Sequence, residues 1–537
     1  MKKLMLAFSI ILVMALLIVG CSNSETTTTA TTATSTTSTA TSTTTTTTTP
    51  SGETPQYGGT LRIMDTRAPG RSLGWFAESG AQFLAPCYPA IETLLRVTFQ
   101  NEVVPFLAES YEVADDLSSI TFVLHQGVKF HDGSDFNAEV AKWNLDQQIA
   151  AQVSNASTWD SVDIIDEYTI RLNLNSWKNS IFNNLACTAS ATMVSKKAFD
   201  EVGAEGLRWE PVGTGAYKFE SFQRDVSVKF TKFDDYWQEG KPYLDAIEYS
   251  FSSDPMTEIA AIQNNEADTL GDNVGQTMVT LLESEQGSYL MVNPSGIADL
   301  MPDSANANSP WSNLKVRQAL DYAIDRDAIV AVRGFGYSEP VFQFAYPGTP
   351  AYITDLEKRS YDPEKAKALL TEAGYPDGFD TTMWVDSSSA DKDSFTAIQN
   401  FMMDVGIRAE FNWIDNATAG NLRSSGWENG LLCGILGLDA NLNNSIGRYF
   451  IKATPYCPCI IKTDAFDAQW AESLNTKAYD AERVQAMVQY LYDNALACCL
   501  WTVNHANFCQ SYVHGGGWMS MQTWPGWTPE NAWMSAK

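Results

Sequence analysis

A chain of 537 residues is too long for a single hydrophobic core, and at roughly 150 residues per domain it divides into about three or four. Its 44% hydrophobic and 12% aromatic content excludes a mainly disordered protein, and a net charge of −29 from 35 bases and 64 acids argues against nucleic acid or anionic lipid headgroups as partners. Four histidines (His125, His131, His505, His514) leave little material for imidazole metal sites or catalytic relays, whereas sixteen tryptophans are plentiful.

Residues 1–20 read as an export signal: Lys2 and Lys3 supply the charged start, Leu4 to Val19 is apolar except for Ser9, and Gly20 precedes a cysteine. Ile18-Val19-Gly20-Cys21 resembles the bacterial lipobox, which implies acylation of Cys21 and a new N-terminus there. The alternative is an ordinary signal peptide followed by a chance cysteine. From Thr26 to Thr49, eighteen of twenty-four residues are Thr and the rest Ala or Ser. Without large side chains that stretch cannot offset its ordering entropy, so residues 21–53 are expected to form a disordered tether, spanning roughly 25–30 Å as a flexible coil. The folded body, from about Gln56, is therefore expected on the outer face of the cytoplasmic membrane, lipid-anchored.

Within the body, Ile120, Phe122 and Leu124 alternate with polar or small neighbours, as do Ile170, Leu172 and Leu174, and Val226, Val228 and Phe230. Period two predicts half-buried strands. Val316, Ala319, Leu320, Ala323 and Ile324 share one face of a helix. Asp362-Pro363 supplies a cap and a proline at the first helical position, with Ala366, Leu369, Leu370 and Ala373 as the buried stripe and Gly374 as the stop. A further helix carries Val484, Met487, Val488 and Leu491. No repeat appears, and the mixture predicts an α/β chain of several packed lobes.

Several segments carry a family resemblance. Gly58-Gly59-Thr60-Leu61 opens the body, and Val104 to Tyr111 follows as VPFLAESY. Phe122 to Gly133 reads FVLHQGVKFHDG, and Pro211 to Phe219 reads PVGTGAYKF. Val316 to Arg326 (VRQALDYAIDR) and Tyr361 to Gly378 complete the series. In this order they resemble the dipeptide/oligopeptide-type solute-binding proteins of ABC importers, bacterial extracellular solute-binding protein family 5, over about Gly58 to Phe508. The resemblance implies a periplasmic-binding-protein-like, two-lobe (type II) α/β fold with an extra domain and a hinge. Lobe 1 would take residues 54–89, 210–295 and 500–537, the extra domain 90–209, and lobe 2 296–499. It further implies a monomer without cofactor or catalysis, whose partners are permease and ATPase subunits. The ligand would be a small organic solute enclosed by population shift, an open form admitting it and contacts from both lobes favouring the closed one.

Within these motifs, Gly133, Gly213 and Gly215 read as turn or close-approach positions, His131 as a hydrogen-bonded turn residue, and the helix around Arg317 as packing. In peptide-binding members, the Asp of a Gly-Trp-x-x-Asp-like segment pairs with the peptide's α-ammonium. The matching stretch here is Cys433-Gly434-Ile435-Leu436-Gly437-Leu438-Asp439-Ala440-Asn441. Ungapped alignment puts Ile435 on the Trp and Leu438 on the acid, and a one-residue shift restores Asp439. Asp439 and Asn441, with Asn443 and Asn444 beside them, are candidate polar ligand contacts. Trp75, Trp384, Trp413 and Trp501 are candidate stacking surfaces, which keeps an oligosaccharide ligand beside a short peptide; nickel, haem and opine-like ligands also occur in the family. Eight cysteines follow Cys21, and 105 complete pairings are open to them. Cys457-Pro458-Cys459 and Cys498-Cys499 are poorly spaced for zinc, and the apolar setting of the latter pair suggests buried thiols. A different class, an extracellular carboxylate-pair glycosidase, is the rival to binding alone.

Overall fold

The computed structural model describes residues 54–66, 68–77, 85–98, 102–273, 275–387, 391–439, 441–515 and 527–536. The export segment, Cys21 and the Thr-rich tether lie outside them. Among the described residues no helix is long and apolar enough to cross a membrane.

One ten-stranded sheet runs through both lobes. Its order is Tyr217–Gln223, Ser227–Lys232, Ala246–Phe251, Thr60–Asp65, Thr269–Asn273, Cys498–Cys509, Tyr289–Pro302, Gly430–Gly437, Phe379–Asp386 and Ile407–Ile414. The two central strands, 14 and 12 residues long, lie antiparallel and belong to both lobes. At one end Cys498–Cys509 pairs with Thr269–Asn273 in lobe 1, and at the other Tyr289–Pro302 pairs with Gly430–Gly437 in lobe 2. Between them the register shifts at Pro294/Gly296 and again at Ala298/Asp299. Pro294 has no N–H for the ladder, and a Cβ on Gly296 would lie 2.4 Å from Ile435 Cγ2. The crossing is therefore the place where the ladder is thinnest.

Side chains alternate across the sheet in lobe 2. Ile297, Met301, Leu432 and Leu436 join one buried cluster, and Ala298, Leu300, Leu431 and Cys433 join the cluster on the opposite face. Lobe 1 is cored by Leu61, Ile63, Val228, Phe230, Ile247 and Tyr249. A separate four-stranded sheet, in the order Ala108–Val113, Ser119–Leu124, Thr169–Leu174 and Trp159–Asp166, carries a third core around Phe122, Leu145 and Leu172.

Local chemistry accounts for the motifs. Asp362 caps helix Pro363–Glu372 by accepting from Lys365 N, Ala366 and Leu370 are its fully buried stripe, and Gly374 ends it at φ 93°. Val228 and Phe230 are buried in strand Ser227–Lys232, but Val226 is 56% exposed, because Asp225 at φ 59° turns the chain before the strand begins. Gly133 adopts φ 79°, whereas Gly213 and Gly215 serve close approach: a Cβ on either would meet the Ala90 or Pro89 carbonyl oxygen at 2.0 and 2.4 Å. His131 Nε2 joins the same turn through the Gly215 carbonyl at 2.8 Å, and burial pushes its pKa down to about 4, which keeps the ring neutral. All eight described cysteines are free thiols, and seven are buried.

The helix-316 motif anchors the crossing strand. Asp321 pairs with Arg326 at 3.0 Å and Arg359 at 2.9 Å, all three side chains being buried. Arg326 Nε in turn donates to the Cys499 carbonyl at 2.7 Å. In Asp321→Asn two buried guanidinium groups would lose their counter-charge, so unfolding in urea should show a loss of roughly 3–5 kcal/mol; a loss below about 1 kcal/mol would refute this role.

Lobe 1 and the extra domain meet at Glu92, whose carboxylate accepts from Thr214 Oγ1 and Tyr236 Oη at 2.8 Å and Trp237 Nε1 at 3.0 Å. Burial raises its pKa to about 7, opposed by the nearby Arg96, which is itself paired with Glu530. The folded value exceeds the unfolded one, so the protonated form's stability is present below about pH 4.5 and is lost as pH rises through about 7. Denaturation across pH should show wild type losing stability relative to Glu92→Gln over that window, with parallel curves above it.

Candidate functional site

A cavity of about 770 Å³ separates the extra domain from lobe 2. Its volume falls in the range of roughly 300–1,000 Å³ usual for small-ligand sites. One wall comes from the turn after helix Ala138–Ala150 and from the segment entering helix Ile181–Cys187; Ser154, Thr158, Lys178, Ser180, Asn183 and Asn184 line it. The other comes from Arg423 at the end of helix Asn416–Ser425, Ile435 of strand Gly430–Gly437, Asp439 just beyond that strand, and Arg448 and Tyr449 on helix Leu442–Tyr449. Trp470 completes this side. Its indole lies against Gly447, where a Cβ would sit 2.6 Å from the ring, and its N–H donates to the Asn443 carbonyl at 2.8 Å. Bare backbone at Gly447 thus seats the ring.

Asp439 Oδ2 accepts from Arg448 Nη2 at 2.8 Å and from Ser445 Oγ at 2.9 Å. Arg423 reaches Asp386 only at 3.9 Å. Lys178 has no ion pair among the described residues. Cys187 also faces the cavity, but burial, reinforced by the Asp439 charge, pushes its thiol up to about 12, and it donates to the Asn183 carbonyl at 3.1 Å. A neutral thiol engaged in that way is a poor nucleophile. Hydroxyls and amides on one wall and an acid–base pair on the other equip the space to bind polar solutes.

The two walls are clasped together beside the cavity. Asn179, 3% exposed, donates its backbone N–H to the Leu474 carbonyl at 2.9 Å. Its Nδ2 donates to the Ser473 carbonyl at 2.8 Å and Thr476 Oγ1 at 2.9 Å, and its Oδ1 accepts from Asn441 Nδ2 at 3.0 Å. Trp177 Nε1 donates to the Thr476 carbonyl at 2.8 Å.

Of the residues singled out from sequence, Asp439 lines the cavity, while the preceding Leu438 is fully buried in the lobe 2 core. Asn441 does not line it; it caps helix Leu442–Tyr449 through Asn443 N and joins the clasp. Asn443 is also buried, and Asn444 lines the cavity. None of the four tryptophans is in the lining. Trp75 packs on Trp143 and Phe199, Trp384 lies against Gly430, Trp413 beside Phe411, and Trp501 6.3 Å from Phe395. Trp470, Arg448, Arg423 and Lys178 were missed. Arg448 stands two turns beyond the capping Asn441, a spacing that could have pointed to it; the others carry no local signal.

Replacing Asn179 by Ala removes four side-chain bonds of the clasp, the one to the Ala478 carbonyl being long at 3.4 Å, each worth at most about 1 kcal/mol net. The unliganded protein should then expand measurably in small-angle scattering and bind ligand roughly tenfold more weakly, as the closed population falls. Identical scattering and affinity would show that the clasp does not hold the closed form.

Comparison with known proteins places this geometry. The family model described as bacterial extracellular solute-binding proteins, family 5 Middle, matches residues 102–432. The glutathione-binding protein GsiB of Shigella flexneri is 37% identical over 317 residues, which is 58% of this chain and 60% of that relative. HbpA2 from Haemophilus parasuis superposes with a TM-score of 0.76 at 22% identity, covering 89% of this chain and 100% of that one. DppA from Helicobacter pylori, in complex with peptide STSA, gives a TM-score of 0.69 at 22% identity, covering 90% and 99%. These two likenesses establish the two-lobe fold, and the match of the family model across more than half of the sequence establishes membership: the chain belongs to the bacterial extracellular solute-binding proteins of family 5.

Proposed function

We propose that this protein captures a short peptide between its extra domain and lobe 2 and delivers it to the permease and ATPase subunits of an ABC importer, tethered to the membrane through acylated Cys21. The observation that carries the ligand class is the cavity wall itself. It combines Asp439 and Arg448, complementary to the two charges of a peptide, with amide and hydroxyl groups suited to a peptide backbone. The tryptophans that favoured a saccharide all lie elsewhere, and the lining contributes a single indole, Trp470. Asp439 is the one carboxylate among the described lining residues, so a glycosidase acid–base pair finds no support there. The relative GsiB is named for glutathione, and DppA was solved with the peptide STSA, which makes tri- and tetrapeptides the first ligands to try.

Calorimetric titration of the purified folded body with di-, tri- and tetrapeptides, glutathione included, and with cello- and xylo-oligosaccharides tests the reading. Saturable binding of a peptide at about micromolar affinity, with the peptide recovered intact, is the expected result. Binding confined to saccharides, or cleavage of any ligand, would reject it.

A further inference from the structure

Trp470 is the one indole among the described lining residues, and its ring is held in place rather than free to turn. Helix Asp464–Leu474 carries it, and the Cε2–Cζ2–Nε1 edge rests on helix Leu442–Tyr449 at Gly447, where a Cβ would lie 2.6 to 3.0 Å from those atoms. The ring N–H donates to the Asn443 carbonyl at 2.8 Å, and Ser473 Oγ, on the next turn, donates to Asn443 Oδ1 at 2.6 Å. Two bonds and a close contact lock the helices together with the ring between them. With its only donor engaged, the indole offers a ligand an apolar, flat surface.

Neighbouring residues extend that surface. Leu474 stands one turn further along the same helix and lines the cavity with Trp470. Ile451, also in the lining, belongs to a segment tied to that helix by Lys452 N, which donates to the Asp467 carboxylate at 3.1 Å. An indole face attracts cations as well as rings. Here Lys178, Arg423 and Arg448 outnumber Asp439 among the described lining residues, so a cationic side chain meets net repulsion. A neutral ring does not. Of the tyrosines in the lining, Tyr449 packs on Phe344 and Phe450, whereas Tyr456 is 39% exposed and has no ring contact among the described residues.

We propose that Trp470 is a specificity-determining residue, forming with Leu474 and Ile451 a subsite for an aromatic side chain of the bound peptide. This rests on the short-peptide reading above and adds to it a preference among side chains. The subsite adjoins the clasp, because the Leu474 carbonyl accepts from Asn179 N at 2.9 Å. A ring seated there therefore touches the helix on which the two walls meet.

The test uses positional isomers of identical composition and charge. The purified protein is titrated by calorimetry with Phe-Ala-Ala, Ala-Phe-Ala and Ala-Ala-Phe. A single fixed platform can meet the ring in only one register, so one isomer should bind roughly tenfold more tightly than the weakest. Exchanging its Phe for cyclohexylalanine, which keeps the apolar area and removes the π face, should weaken binding about two- to tenfold. Trp470→Leu should bring these two peptides to equal affinity, and Tyr456→Leu should preserve the difference. Equal affinity of the three isomers, or of the two side chains, would overturn the subsite while leaving the short-peptide reading intact. A preference for Phe that survives Trp470→Leu would overturn it as well. Failure of every peptide in the wider panel would instead remove the reading on which it rests. The isomer and ring comparisons are made on the wild-type protein, so the result does not depend on either variant folding.

Discussion

The constraint on which the molecule turns is the shared pair of central strands. Backbone hydrogen bonds between Tyr289–Pro302 and Cys498–Cys509 run from one lobe into the other, so neither lobe can be moved without bending the same ladder. Pro294 and Gly296 sit where that ladder loses a donor and a side chain, which confines bending to a few residues. Each lobe then grips its own end of the strands. On the lobe 2 side, Arg326 fixes the Cys499 carbonyl while Asp321 holds Arg326 and Arg359. On the lobe 1 side, Asp268 accepts from Arg62 and from Tyr512 Oη at 2.7 Å. Rigid ends and a thin middle make a hinge rather than a diffuse flexure.

Given such a hinge, the cleft need only be polar and able to close. Its walls supply that in two separate ways. The clasp at Asn179 uses neutral hydrogen bonds and Asn179 itself is not in the lining, whereas Asp439 and Arg448 face the cavity. The bonds that join the walls and the charges that face the cavity thus belong to different groups. The internal ion pair of Asp439 and Arg448 satisfies two charges of the lining by one another.

The elements with local chemistry could be read directly. Asp362-Pro363 and Gly374 delimit their helix because capping and positive φ are properties of single residues. The period-two pattern at Val226 overran its strand by one residue, since hydrophobicity alone does not reveal that Asp225 turns. At the site, Asp439 was visible because it ends a strand motif. The tryptophans misled because abundance says nothing about which face a side chain takes. Trp75 buries its ring in the lobe 1 core, Trp384 packs partly buried against the lobe 2 core, and Trp470, which does line the cavity, owes its position to a glycine on another helix. Arg423 and Lys178 converge from segments more than two hundred residues apart, and only the assembled walls bring them together.

Three of the five partners that Asn179 grips on the far wall are main-chain oxygens, those of Ser473, Leu474 and Ala478, beside the side chains of Thr476 and Asn441. Carbonyls are present whatever residue carries them. Mutational drift along that stretch should therefore be tolerated so long as its path is preserved, while the asparagine opposite has no equivalent freedom. Across descendants of this chain, one jaw would vary and the other would hold still.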